Sequence, residues 1–305
     1  MSLVFFGTPL FAVPSLNALV SSGEEVEAVV TQKDRKRDRG HALLSPPVKE
    51  AAVRMGIRVL QPSSMKDEAF LRELATIGPE FIVVAAYGKI LPRAVLDIPR
   101  RYAINLHASL LPRYRGASPV AWAIINGETE TGVTTMVMSE GLDEGDILLQ
   151  ESTAIDEDET AETLLRKLSG LGASLLIKTL KGLRQGTLEP RPQMGEPSYA
   201  PPMRKEDGRV HWSKTARELY NFVRGMYPWP GAYCHIGGER VKLLEVKPVE
   251  GAARPGEIRT AGDSLLVGTG GGLLSIARLQ PEGRRPMTAG AYLRGRSIRE
   301  GTLID

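Results

Sequence analysis

At 305 residues the chain is long enough for two cores of roughly 100–200 residues each, and its 42% hydrophobic and 25% charged residues are those of an ordinary globular protein. No stretch approaches the roughly 20 uncharged apolar residues that span a bilayer, which excludes the membrane-spanning helical classes. The net charge of +3 divides unevenly: residues 209–305 carry 15 Lys/Arg against 9 Asp/Glu, so residues 1–208 are net negative.

Short apolar runs at residues 3–6, 26–30, 57–60, 81–85 and 103–106 are bounded by Gly, Pro or polar residues and read as buried parallel strands. Helical composition fills residues 14–22, 48–55, 66–77 and 92–96 between them. The alternation predicts an open, mostly parallel, Rossmann-like α/β sheet. Residues 132–138 and 147–152 read as two further strands joined by a loop at 139–146. A helix over about 160–183 has apolar residues at three- and four-residue spacing, among them Leu164, Leu168, Leu171 and Leu175.

Five prolines in residues 186–202 predict an extended stretch. Beyond it a short helix at 216–226 precedes Pro228-Trp229-Pro230-Gly231, and short strands at 232–236, 240–246, 264–267 and 273–279 alternate with glycine turns. A smaller C-terminal β-barrel of the oligonucleotide-binding (OB) type fits that pattern. The expected division is 1–188, a linker at 189–208, and 209–305. Trp229 can be read as a buried corner or as a platform for a nucleobase. The start, Met-Ser-Leu-Val-Phe-Phe-Gly, lacks the basic segment of a signal peptide, so the cytoplasm is the expected location. Cys234, the lone cysteine, has no partner for an internal disulfide and is expected to be packed and inert.

The chemistry concentrates in Asn105-Leu106-His107-Ala108-Ser109-Leu110-Leu111-Pro112-Arg113-Tyr114-Arg115-Gly116 and in Gly141-Leu142-Asp143-Glu144-Gly145-Asp146. Asn105 and His107 stand two apart at a strand end and point to one side, with Leu106 on the other. Ligands of open α/β sheets bind beyond the carboxyl ends of the strands, which is where this pair falls. An amide and an imidazole side by side can stabilise the oxyanion of an acyl transfer. Asp143, in a glycine-flanked turn, can fix the tautomer of His107 or carry a proton through water. No serine or cysteine accompanies them with an obvious base, which favours direct transfer between two bound substrates. Four scattered histidines give no metal-ligand spacing, so no metal is expected. No Gly-x-Gly-x-x-Gly follows the first strand, so a dinucleotide site is poorly supported.

These motifs resemble the folate-dependent formyltransferases. The likeness extends through Phe6-Gly7-Thr8-Pro9, Thr31-Gln32-x-Asp34-Arg35, Ser45-Pro46-Pro47-Val48-Lys49, Ala86-Tyr87-Gly88-x-Ile90-Leu91-Pro92 and Tyr227-Pro228-Trp229-Pro230, nearly the whole chain. The resemblance implies that Asn105, His107 and Asp143 are catalytic. It implies that Ser109, Leu110, Leu111 and Pro112 line the folate site, with Tyr87, Gly88, Glu140, Gly141 and Leu142 walling the pterin. The donor would be 10-formyltetrahydrofolate, with no metal. The acceptor would be the α-amino group of methionine on initiator methionyl-tRNA, which makes the implied role protein biosynthesis at translation initiation.

Arg35, Lys36, Arg37 and Arg39 lie where the family carries a basic loop that reaches the acceptor stem. Here Lys36-Arg37-Asp38 replaces the small residues that commonly precede the loop's arginine, Arg39. Arginines there would take phosphates bidentately, and the basic C-terminal domain would hold the stem. A solvated loop beside a moderately basic domain has the same charge pattern. An amino sugar nucleotide or glycinamide ribonucleotide would serve the same chemistry as acceptor. A non-catalytic RNA-binding protein with a folate pocket is the reading from another class. A surface without an evident interface stripe points to a monomer.

Overall fold

The computed structural model describes residues 2–36, 43–296 and 298–305. In chain order the elements of the first stretch are β1 (Ser2–Gly7), α1 (Val13–Ser21), β2 (Glu25–Val30), β3 (Arg35–Lys36), β4 (Leu43–Leu44), α2 (Pro47–Arg54) and β5 (Arg58–Leu60). Next come α3 (Glu68–Ile77), β6 (Phe81–Ala85), α4 (Arg93–Leu96), β7 (Tyr102–His107), α5 (Pro119–Ile125), β8 (Glu130–Val137), β9 (Ile147–Ala154) and α6 (Ala161–Gln185). The chain continues as α7 (Ala216–Met226), β10 (Tyr233–Ile236), β11 (Glu239–Val249), β12 (Ile258–Ala261), β13 (Ser264–Gly268), β14 (Leu273–Pro281), β15 (Met287–Thr288) and α8 (Ala289–Arg294).

The residues gather into two compact units, and neither is one continuous stretch. The first draws on Met1–Pro119, Glu130–Ala154 and Leu165–Ala200, and the second on Val120–Thr129, Ile155–Leu164 and Pro201–Asp305.

The first unit is built on a seven-stranded sheet in the order β5-β2-β1-β6-β7-β8-β9. The first five of these run parallel, while β8 and β9 pair antiparallel. Leu3, Val4, Phe5 and Phe6 are all fully buried, as a central strand covered on both faces requires. One face packs Phe70 and Leu74 of α3 against Val4, Phe6, Ile82 and Val84. Asp67 starts α3 by accepting from the Phe70 N–H at 3.0 Å, and Gly78 ends it in the left-handed region. On the other face α6 runs so close to β7 that a Cβ on Gly172 would sit 2.7 Å from a Leu106 methyl. Leu106 therefore points away from Asn105 and His107, as the strand's period of two predicts.

The second unit holds α7 against a curled antiparallel half-barrel of six strands, β10-β11-β14-β13-β12 with β15 on β14. Register shifts beside Glu245 in β11 bend the sheet, because an unpaired residue increases local twist. A capping box of Thr215 and Glu218 starts α7, which buries Leu219, Tyr220, Val223 and Met226. Cys234 is fully buried, and burial pushes its thiol pKa up to about 12.

Trp229 is 60% exposed, so the reading of a buried corner does not hold. Trp229→Ala should cost less than about 1 kcal/mol, against roughly 3–5 for a buried tryptophan. Urea unfolding of both forms checks this; a larger loss would restore the buried role.

Among the described residues no helix is long and apolar enough to cross a membrane.

Candidate active site

The strand ends Gly7, Val30, Ala85 and His107 share one edge of the parallel sheet, and the central motif begins at that edge. The turn after β7 is pinned by side chains from the antiparallel strands. Thr134 of β8 donates to the Ser109 carbonyl at 2.6 Å and accepts from the Leu111 N–H at 3.1 Å. Gln150 of β9 donates to the Leu111 carbonyl at 2.8 Å. Ser109 Oγ donates to the Arg113 carbonyl at 2.6 Å, so the motif's hydroxyl serves the turn. Leu111 is buried, and the stretch Ser109–Pro112, expected to line a folate site, is thus held at the strand end.

Asn105, His107 and Asp143 come together. Asn105 Nδ2 lies 3.4 Å from Asp143 Oδ1, and His107 Nδ1 lies 3.6 Å from Asp143 Oδ2. The Gly116 N–H donates to the same Oδ2 at 2.8 Å. His107 is 6% exposed and the Asp143 side chain 14%, so these charges and dipoles work in a partly dehydrated place. On its other side His107 Nε2 meets the Tyr114 carbonyl at 2.9 Å. A carbonyl only accepts, so Nε2 carries the proton in the neutral ring and Nδ1 presents its lone pair toward Asp143. A second proton, at Nδ1, turns the ring into a donor flanked by a carboxylate.

The geometry costs backbone strain. Asp143 has φ +52° and Tyr114 φ +61°, in the left-handed region that most L-residues avoid. Residues 191–200 hold both. Ser198 Oγ accepts from the Tyr114 N–H at 2.9 Å, and Gln193 Nε2 donates to the Asp143 carbonyl at 2.8 Å. Ala200 N–H donates to the Arg115 carbonyl at 2.7 Å, so close an approach that a Cβ on Gly116 would lie 2.6 Å from the Ala200 carbonyl oxygen. Tyr114, Gly116, Gln193 and Ser198 were missed as site residues in sequence. Gly116 alone left a signal, as the glycine closing the motif.

The residues expected to wall a pterin divide. Tyr87 is 2% exposed, its ring edge-on to Phe6 and its hydroxyl 3.6 Å from Met65 Sδ, and burial pushes its pKa up to about 12. Only its backbone is left for a ligand, and the carbonyl already accepts from Thr8 Oγ1 at 2.9 Å and Gln32 Nε2 at 2.8 Å. Gly88 follows at φ +79°, where a Cβ would lie 2.6 Å from Gln32 Nε2. Glu140, Gly141 and Leu142 are exposed on their loop. Leu142 at 57% and Ile90 at 84% are apolar side chains open to solvent, chemistry that suits the flat face of an aromatic ligand. Glu140 also borders a 430 Å³ surface cavity with Tyr102, Ala103 and Met138, at the opposite end of β7 from His107.

Of the basic loop, Arg35 is exposed on β3 and donates to Gln32 Oε1 at 2.6 Å. Lys36 is described in its backbone alone, paired with Leu43, and Arg37 and Arg39 lie outside the described residues. Behind Arg35, Asp34 accepts from Lys49 at 2.7 Å and from Gln61 at 2.9 Å, bonds that hold its carboxyl below the usual range. Among the described residues no group of three or more His, Cys, Asp or Glu side chains is placed to hold a metal ion.

An amide, an imidazole and a carboxylate gathered at the strand ends of an open α/β sheet are the working parts of an enzyme that moves an acyl group. Residues 1–180 match the family described as formyl transferase, and residues 202–297 match its C-terminal domain. The chain belongs to the formyl transferase family. Its relatives include the methionyl-tRNA formyltransferase of Thermodesulfovibrio yellowstonii, 52% identical over 98% of this chain and 97% of that one. That of Caldanaerobacter subterraneus subsp. tengcongensis is 50% identical over the whole of both chains.

Solved structures share the fold at lower identity. The N-formyltransferase of Helicobacter canadensis, in complex with folinic acid and dTDP-3-aminofucose, matches with a TM-score of 0.69 and 21% identity over 92% of this chain and 98% of its own. HypX of Aquifex aeolicus in complex with tetrahydrofolic acid matches at 0.66 and 19% over 95% of this chain, which spans about half (46%) of that protein.

Proposed function

We propose that this chain transfers the formyl group of 10-formyltetrahydrofolate to the α-amino group of methionine on initiator methionyl-tRNA, acting as a monomer in the cytoplasm. Catalysis falls to residues 1–188, braced by 191–200 of the stretch 189–208, and tRNA holding to residues 209–305. The convergence of Asn105, His107 and Asp143 is the observation that carries the reading. Full-length relatives named for this activity support the choice of acceptor.

The donor supplies a formyl carbon bound to an amine nitrogen, already open to attack by a second amine. The α-amino group attacks that carbon, and negative charge develops on the formyl oxygen. The second N–H of the Asn105 amide and a proton on His107 Nδ1 are the donors available to that oxygen. The ammonium formed by attack must lose a proton, and the Asp143 carboxylate, 3.6 Å from His107 Nδ1 and 3.4 Å from Asn105 Nδ2, is the base that takes it. The same proton then goes to the departing folate nitrogen, so the site ends as it began. The exposed apolar surface of Ile90 and Leu142 suits the ring system of the donor.

On the acceptor side, Arg35, Lys36, Arg37 and Arg39 would contact phosphates, together with the basic residues of 209–305. If about three phosphates are neutralised, apparent affinity for the tRNA falls roughly 40-fold between about 50 and 200 mM salt. Formylation of charged initiator tRNA, elongator tRNA, an amino sugar nucleotide and glycinamide ribonucleotide, each at both salt concentrations, tests the reading by mass spectrometry. Preferential, salt-sensitive formylation of initiator tRNA is expected. A flat salt response with turnover of a small acceptor would overturn the tRNA assignment, and folate binding without turnover would leave an RNA-binding protein.

A further inference from the structure

Gln193 has its amide fully committed. Its Oε1 accepts from Arg115 Nε at 3.2 Å and from Arg115 Nη2 at 2.8 Å, while its Nε2 donates to the carbonyls of Asp143 at 2.8 Å and Gly145 at 2.9 Å. The amide can point only this way, since a guanidinium has no acceptor and a carbonyl no donor. Four bonds thus tie three segments of the first unit: the turn after β7, the loop between β8 and β9, and the stretch following α6. Arg115 is itself fixed, with a 12% exposed side chain and Glu144 at 3.5 Å.

The loop they hold needs holding. Asp143 sits at φ +52°, a conformation that a released loop would leave for a relaxed one. Along the same stretch Arg191 exchanges both backbone hydrogen bonds with Ile147, at 2.7 and 2.9 Å, where the loop enters β9. At its far end Ser198 holds Tyr114, whose carbonyl sets the His107 tautomer.

We infer that Gln193 is a positioning residue for Asp143, and that residues 191–200 form a strap over the reacting groups; the inference rests on the formyl-transfer reading above. Gln193 touches neither Asn105 nor His107 and acts through the backbone of the 143–145 turn. Its effect falls on the placement of the carboxylate, hence on the chemical step, and little on substrate affinity.

Two variants separate its parts. Gln193→Met keeps the length and loses every bond; Gln193→Glu keeps the acceptor for Arg115 and loses both donors to the loop. Both should lower kcat by about 30- to 100-fold, the loss expected when a reacting group is displaced by about 1 Å. KM for the folate donor and for charged tRNA should stay within about 3-fold of wild type. Wild-type kcat in either variant, or a loss carried by KM, would overturn the inference.

A wild type that formylates no acceptor would count against the proposed function alone. The strap is then tested by amide hydrogen exchange, which needs no turnover. Residues 143–146 should exchange at least about 10-fold faster in Gln193→Met, since a freed loop opens locally, and unchanged exchange there would sink the strap.

Discussion

Asp143→Asn is expected to fold like the parent and to lose about 100- to 1,000-fold in kcat. The substitution is unusually clean. Asparagine matches aspartate in shape and is the residue that, after glycine, best accepts the left-handed φ of +52° found here. The turn should therefore survive, with Gln193 still donating to the residue 143 carbonyl. What goes is the charge. The carboxylate accepts from the Gly116 N–H and stands 3.6 Å from His107 Nδ1, where it stabilises the ring when that nitrogen takes a proton. An amide oxygen can keep one of these contacts, but its NH₂ must then face the other groups. Steady-state kinetics and thermal unfolding read the two effects separately. An unchanged kcat would remove Asp143 from the mechanism, and a collapse in stability would make its role structural.

Gly145→Ala should be nearly as damaging, for a different reason. A Cβ there would overlap the carbonyl oxygen of Val137, the last residue of β8. Backbone cannot rotate aside as a side chain does, and the Val137 N–H is tied to the Asp146 carbonyl at 2.8 Å, so the loop as a whole must lift. Crowding of this kind costs about 1–3 kcal/mol. Lifting also pulls the Gly145 carbonyl from Gln193 and shifts Asp143 with it. We expect kcat to drop about 100-fold and the unfolding midpoint to fall several degrees. Activity within a few-fold of wild type would show that the loop adapts and that Asp143 does not depend on its grip.

The central strands β1 and β6 could be read directly from sequence because burial on both faces writes an unbroken apolar run, as Phe81-Ile-Val-Val-Ala85 does, whereas β5, expected as buried, is half-exposed at the sheet edge. The helix expected at 216–226 is α7, and its capping box of Thr215 and Glu218 is a signal that the sequence reading did not use. Helix α5 was passed over: Pro119-Val-Ala-Trp-Ala-Ile-Ile125 is seven residues of nearly continuous apolarity, too short for a period to distinguish helix from strand. Strand β12 and helix α8 were missed as well, four and six residues long.

At the site, the period of two placed Asn105 and His107 on one side, and both do reach Asp143. Beyond that, local pattern carried little. Nothing in the text around Tyr114 signals a positive φ or a carbonyl aimed at His107 Nε2. Nothing in Ala86-Tyr87-Gly88 says that the ring turns inward onto Phe6 and Met65. Gln193 stands in a proline-rich stretch and its partner Arg115 is 78 residues away, and such pairings are made by the fold.

On the proposed mechanism the formyl group passes directly from folate to the methionyl amine at Asn105, His107 and Asp143. Rapid-quench single turnover with carbon-14-labelled 10-formyltetrahydrofolate and charged initiator tRNA follows that transfer. Label should move to the α-amino nitrogen in one phase, with none bound to protein at any time, and Asp143→Asn should slow that phase about 100-fold or more. Label trapped on the protein, or an Asp143→Asn enzyme reacting at the wild-type rate, would contradict that mechanism.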